Sequence, residues 1–346
     1  MAITLILKNP CFFCLFQEKA LNLYQQFPPR FPQNSVPGRN FYFYAMRKYV
    51  KQPLEIQEQI AILKERGLIF LQEEYAINKL KQVSYFRLAN YWKPMEQDKI
   101  RHTFKPQSTF ENALSLYYFD KELRNLLFTS IQTIEIALRT KMIHHVSLQC
   151  GAFRFANNAV FTNQDIFNKC LDNLQNELKR SKEDFISEHY AKYDEPIYPP
   201  AWKTLEVSSF GTLSKLYCNL SDVKLKKQIA REFGLPQHIY LESWIKSLSV
   251  LRNYIAHHAR LWNRKFPWKP QLPKKLSSPW INNIAIQQEK LYSQLCCINY
   301  LLKGLNTNTE LSSKIQLLLD HHPNIDTSAM GFPENWREEP LWKNED

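Results

Sequence analysis

From about residue 50 onward, apolar residues recur at intervals of three and four, the spacing of one face of an α-helix. Leu54, Ile60, Leu63 and Leu68 open the pattern. Gly67 offers a left-handed stop, and a second helix begins near Gln72. This second helix runs through "KLKQVSYFRLANYWKPM" to Pro94. Tyr85, Phe86, Leu88, Tyr91 and Trp92 supply its packing surface, with Arg87 and Asn90 as polar residues at a core edge. Together the two helices read as a hairpin. Ser108 with Glu111 three residues later has the form of a capping box and starts a long helix that reaches about Gln149, ahead of Gly151. Leu123, Leu127, Ile131, Ile134, Leu138 and Met142 form its buried stripe. Further helices are predicted over about 164–190, 202–219 and 222–232. Gly234 and Pro236 introduce another, from about Gln237 to Arg264. Beyond the Pro-rich stretch 267–279, residues 285–305 and 310–322 complete an all-α chain with no strand-rich block and no long-period repeat.

The beginning of the chain breaks this pattern. "PPRFPQNSVPGR", residues 28–39, holds four Pro and a Gly and cannot propagate helix or sheet. Lys8, Asn9 and Pro10 interrupt the only leader-like apolar run, so a secretory signal is not expected. Residues 1–45 are read as an irregular extension, with Met46 as a working start. Cys11 and Cys14 form a lone C-x-x-C; without a second ligand pair it predicts no zinc site.

Composition narrows the class. The 346 residues are 44% hydrophobic and 14% aromatic with only 7 Gly, which excludes disordered and fibrous chains. A net charge of +12 favours polyanionic partners. Seven scattered Cys do not form a disulfide framework and suit a reducing cytoplasm. No apolar run of about 18 residues predicts a membrane span. The absence of a Gly-rich phosphate loop and of carboxylates at two-metal spacing removes the commonest routes to an ATPase or metal nuclease.

The densest chemistry lies in "RNYIAHHARLWNR", residues 252–264. At about 100° per residue, Leu248, Leu251, Ile255, Ala259 and Trp262 share one apolar stripe. On the same arithmetic His257, Arg260 and Arg264 each fall within about 40° of Asn253, and Arg252 lies about 100° from Asn253. A neutral-range imidazole can take a proton from a ribose 2′-hydroxyl or return one to a leaving 5′-oxygen. Guanidinium groups can hold a phosphate and offset charge growing on its oxygens. Arg252 and His257 are therefore candidates for metal-independent RNA cleavage, with Arg260 and Arg264 as candidates for binding phosphate. The bare spacing is weak evidence, because "RTKMIHH", residues 139–145, repeats it. Glu135 and Arg139 are i,i+4 partners on the long helix, which spacing alone reads as a surface ion pair worth a few tenths of a kcal/mol.

Four blocks, "LEIQEQIAILKERGLIF", "VSYFRLANYWKPM", "IEIALRT" and "LRNYIAHHARLWNR", resemble the AbiD/AbiF type of abortive-infection phage-resistance protein, within the wider group of HEPN helical domains. The closing "MGFPENWREEPLW" resembles the tail of that family. The likeness implies an all-α, HEPN-like helical bundle with an N-terminal helical hairpin and additional C-terminal helices. It implies an Abi-like domain over 46–345 with its core at about 108–305. It assigns cleavage chemistry to Arg252 and His257, with Asn253 as an orienting polar residue, and makes Glu135 and Arg139 neighbours of the site. It further implies an RNA substrate, a homodimer in which Arg252 reaches a composite site, a cytoplasmic location, and no cofactor or metal. A regulatory RNA or protein partner stays open. Two other readings compete: a noncatalytic RNA-binding module of the same fold, and an interaction protein with a merely solvated basic surface. A two-site monomer using the 139–145 copy ranks lower, since its flanks do not repeat.

Overall fold

The chain divides after Pro53, and almost all the described residues of the computed structural model, 52–307 and 310–343, belong to the second unit, Leu54–Asp346. The irregular extension over 1–45, the Met46 start and the Cys11–Cys14 pair lie outside the described residues.

The first helix, α1 (Ile56–Glu65), buries Ile60 and Leu63 and stops where the sequence predicts. Gly67 takes φ +91°, and the N–H groups of Gly67 and Leu68 return to the carbonyls of Lys64 and Leu63 at 2.9 Å. Only a residue without a Cβ enters that left-handed turn freely. The expected single second helix is two: α2 (Glu73–Gln82) and α3 (Tyr85–Trp92). β-Branched Val83 is extended between them, and Ser84 begins α3, its carbonyl accepting from Arg87 and Leu88. A short antiparallel pair, β1 (Glu96–Asp98) with β2 (Thr103–Phe104), follows; it is the only sheet among the described residues.

The long helix α4 (Phe110–Cys150) runs unbroken for 41 residues. Its cap differs from the predicted box by one position. The Ser108 carbonyl is taken by the Ile69 N–H, so Thr109 caps instead, Oγ1 accepting from Asn112 at 3.1 Å. Glu111 Oε1 turns away to accept from the N–H groups of Leu71 and Gln72 at 3.1 and 3.2 Å. This ties the start of α4 to the segment leading into α2. The predicted stripe from Leu123 to Met142 is buried throughout, each member at most 2% exposed, and each such burial contributes roughly 1.5–3 kcal/mol.

Around α4 stand α5 (Gln164–Arg180), α6 (Asp184–Lys192), α7 (Ala201–Thr204), α8 (Phe210–Asn219), α9 (Val223–Arg231), α10 (His238–Ala256), α11 (Leu291–Gly304) and α12 (Leu311–His321). The helix predicted over 164–190 is interrupted at Ser181, whose Oγ accepts the Glu183 N–H at 3.3 Å, a local bond that competes with helix propagation. α4 is the spine, packing against α3 and against every helix from α7 to α12. α10 packs between α8, α9, α11 and α4. No helix among the described residues is long and apolar enough to cross a membrane. The all-α architecture predicted from periodicity is the one observed.

The C-terminal tail is part of the core. Trp342 is fully buried, donates Nε1–H to the Tyr292 hydroxyl at 3.1 Å and meets Trp336 edge-on. Asn299 on α11 donates to Ser312 Oγ and to the Leu341 carbonyl, locking α12 and the tail to the same helix.

Candidate functional site

The site is built where α10 ends against α4. α10 stops at Ala256, eight residues short of the predicted Arg264. His257 is its C-cap, and His258 takes φ +53°. The His258 N–H returns to the Ile255 carbonyl and the Ala259 N–H to the Tyr254 carbonyl, both at 2.9 Å, which is a Schellman turn with histidine where glycine is usual. The helical stripe joining Asn253 and His257 to Arg260 and Arg264 therefore does not exist. Asn253 and His257 do share one exposed face, one turn apart, with the His257 N–H on the Asn253 carbonyl at 3.0 Å.

What stops the helix is a set of partners from elsewhere in the chain. Asp120 on α4 accepts the N–H groups of Leu261, at 3.0 Å, and Trp262, at 2.7 Å. Arg124, one turn further along α4, pairs with Asp120 and reaches the Ala259 carbonyl at 3.4 Å. Tyr91 on α3 donates its hydroxyl to Asp120 at 2.7 Å. Arg87, exposed on α3, donates to the His258 carbonyl at 2.8 Å. In return Arg260 donates to the Asn90 carbonyl at 2.7 Å. Burial pushes the Asp120 carboxyl up, opposed by Arg124, the two backbone N–H groups and Tyr91; burial beside Asp120 likewise raises Tyr91. Most backbone groups from 258 to 262 that leave the helical ladder here find another partner, which lowers the penalty of leaving it.

Arg260 and Arg264 are engaged with the protein itself. Arg260 is half-buried against α3, and burial together with Arg264 lowers its pKa. Arg264 lies over the Tyr254 ring at 4.5 Å and donates Nε–H to the Arg260 carbonyl.

The other predicted residues do converge. Glu135 and Arg139, one turn apart on α4, are buried, at 8% and 9% exposure, and not on the surface as spacing alone suggested. Arg139 Nη2 donates to Glu135 Oε1 at 3.0 Å and to the Ser208 carbonyl at 2.9 Å. The second carboxylate oxygen, Oε2, stands 3.6 Å from Arg252 Nε on α10. One carboxylate thus brackets two guanidinium groups from two helices. The Arg252 side chain stays 33% exposed, so its charge is available to solvent. His257 follows five residues on, about 7.5 Å along the axis and roughly 140° around it. Ser208, buried just before α8, is a member that sequence reasoning did not single out; "VSSFG" carries only the helix-cap signal of Ser209.

The 139–145 copy divides between two places. Arg139 belongs to the bracket just described, whereas His145 is buried against α9, with Nε2 2.6 Å from Glu232 Oε1 and Nδ1 3.2 Å from Gln228 Nε2. Lys141 joins the same carboxylate at 2.8 Å.

Several alternatives fare worse. Burial pushes the Cys170 thiol up to about 11 and Cys218 up to about 12, the reverse of an activated nucleophile. Among the described residues no three His, Cys, Asp or Glu side chains cluster as a metal site. A cleft of about 500 Å³ between α5 and α6 is lined by Glu177, Glu183 and Glu206 as well as Arg180 and Lys182, a mixed charge poorly matched to a polyanion.

No curated protein and no solved structure matches the chain. A family model does, that of the Abi-like proteins, over residues 78–263, a span containing α3, the bracket on α4, the whole of α10 and the turn that follows it. With more than half of its length matched, this chain belongs to the Abi-like family of abortive-infection proteins, which act in defence against phage.

Proposed function

We propose that this protein carries out abortive infection as a HEPN-type endoribonuclease of the cytoplasm that needs no metal. The single observation that carries the reading is the Glu135 carboxylate holding Arg139 and Arg252 together beside the helix whose end exposes His257. In this reading the 2′-hydroxyl of the RNA attacks the adjacent phosphorus and gives its proton to His257 or to water held there. The bond from phosphorus to the 5′-oxygen breaks, and that oxygen takes a proton from the His257 imidazolium or from water. A 2′,3′-cyclic phosphate and a 5′-hydroxyl remain. Arg252 offsets the charge that grows on the phosphoryl oxygens, Glu135 and Arg139 fix Arg252, and Asn253 orients the groups around His257. DNA, which has no 2′-hydroxyl, is not cut. Two copies of the chain pair so that both arginine and histidine groups face a composite site.

The test is cleavage of end-labelled RNA by purified protein in EDTA. Cyclic-phosphate ends that disappear in His257→Ala and in Arg252→Ala support the reading. Recovery of cleavage on mixing those two inactive chains supports the composite dimer. RNA binding without cleavage, kept in His257→Ala and lost in Arg260→Ala/Arg264→Ala, would instead make the protein a noncatalytic RNA-binding module.

A further inference from the structure

The five residues after His257 are held by more partners than a surface turn requires. Their hydrogen bonds span 171 residues from Arg87 to His258, 135 from Arg124 to Ala259, and 141 and 142 from Asp120 to Leu261 and Trp262. Asp120 is fully buried and Arg124 is 5% exposed, so their interactions act in a low dielectric and are costly to break. Tyr91 closes the cluster, donating to Asp120 while accepting from Arg124 at 3.3 Å. Arg87 stands apart from it: its side chain is exposed, and the bond it makes is to the carbonyl of the residue next to His257. Such an outer layer of partners fixes a reactive side chain through its backbone.

We infer that Asp120, Arg124, Tyr91 and Arg87 form a positioning clamp for His257, fixing the turn that ends α10 so that the imidazole keeps one place relative to Arg252. This rests on the ribonuclease reading of the same site. The clamp also gives α3 a role, because the "RLANYW" segment supplies Arg87 and Tyr91 and takes Arg260 on the Asn90 carbonyl, joining the hairpin end of the chain to the catalytic turn.

A clamp acts on placement and leaves substrate affinity alone, so its loss lowers kcat and not KM. Arg87→Ala, on an exposed side chain, is expected to lower kcat by about tenfold or more with KM within about twofold and the melting temperature unchanged. Arg87→Lys, which keeps a donor of similar reach, is expected to restore most of the loss. Asp120→Asn removes the charge that orders the cluster and is expected to lower kcat by about a hundredfold and to speed amide exchange over residues 257–262. Wild-type kcat in both Arg87→Ala and Asp120→Asn, with His257→Ala inactive, overturns the clamp alone. A fall confined to KM, or no rescue by Arg87→Lys, also overturns it. An unmodified protein that cuts no RNA overturns the ribonuclease reading, and the clamp's catalytic role falls with it.

Discussion

His258 occupies a backbone conformation that costs an L-residue roughly 1–2 kcal/mol, although His tolerates it better than most. A glycine there would relieve the strain but widen the freedom of the unfolded chain by roughly 0.5–1 kcal/mol, so the two effects nearly cancel. His258→Gly is expected to fall within about 1 kcal/mol of the native stability in thermal unfolding and to keep RNA cleavage, whereas His258→Val should lose about 1–2 kcal/mol. Loss of cleavage in the glycine variant with stability intact would move the acid-base role from His257 to His258. The neighbouring histidines thus differ in kind: one closes a helix at an exposed cap, the other bends the chain away from it.

Between elements, α4 and α9 meet through Glu232, which lies just past the last turn of α9. Burial raises its carboxyl, but hydrogen bonds from Lys141 and His145 outweigh burial and hold it below the ordinary 4.5. The folded state therefore releases this proton more readily than the unfolded one, so the contribution is complete above about pH 4.5 and is lost as pH falls through the lowered value. In urea unfolding, wild type should exceed Glu232→Gln at neutral pH, and the difference should shrink as pH falls below 4.5. An undiminished difference in acid would show that the ion pair contributes nothing. Element by element, the sequence is readable for helix faces and for a glycine stop, though not for the local breaks at Val83 and Ser181. The α4 stripe from Leu123 to Met142, the Gly67 stop and the placement of Glu135 beside Arg139 follow from spacing. The end of α10 does not, because periodicity continues through Trp262 and the partners that stop the helix come from Asp120, Arg124 and Arg87, more than a hundred residues away. Asp120 and Arg124 have the same i,i+4 spacing as Glu135 and Arg139, so the signal was present without any local sign of what it would hold. The depth of both pairs was equally illegible: spacing gives a helix face, and burial depends on what packs against it.

Across the whole molecule, the family match ends at residue 263, yet the core does not. Tyr292, Phe332, Trp336 and Trp342 pack into one aromatic group, with Glu339 accepting the N–H groups of Asn282 and Asn283 to close the loop before α11. Trp342→Ala is expected to cost about 3–5 kcal/mol in chemical denaturation. A cost below about 1 kcal/mol would mean that the tail folds over a core already complete without it. α4 reaches further still. It carries Asp120 and Arg124 under the turn after His257, Glu135 and Arg139 beside Arg252, and Lys141 and His145 against α9, all on one unbroken run of helix. Asp120 and Glu135 are separated by fifteen residues, about 22 Å of rod whose length hydrogen bonds hold fixed. Gaining or losing a single residue inside that interval would swing one group about 100° away from the other. Arginine and histidine are in this sense measured off along a common ruler, and that stretch of helix tolerates no change in length.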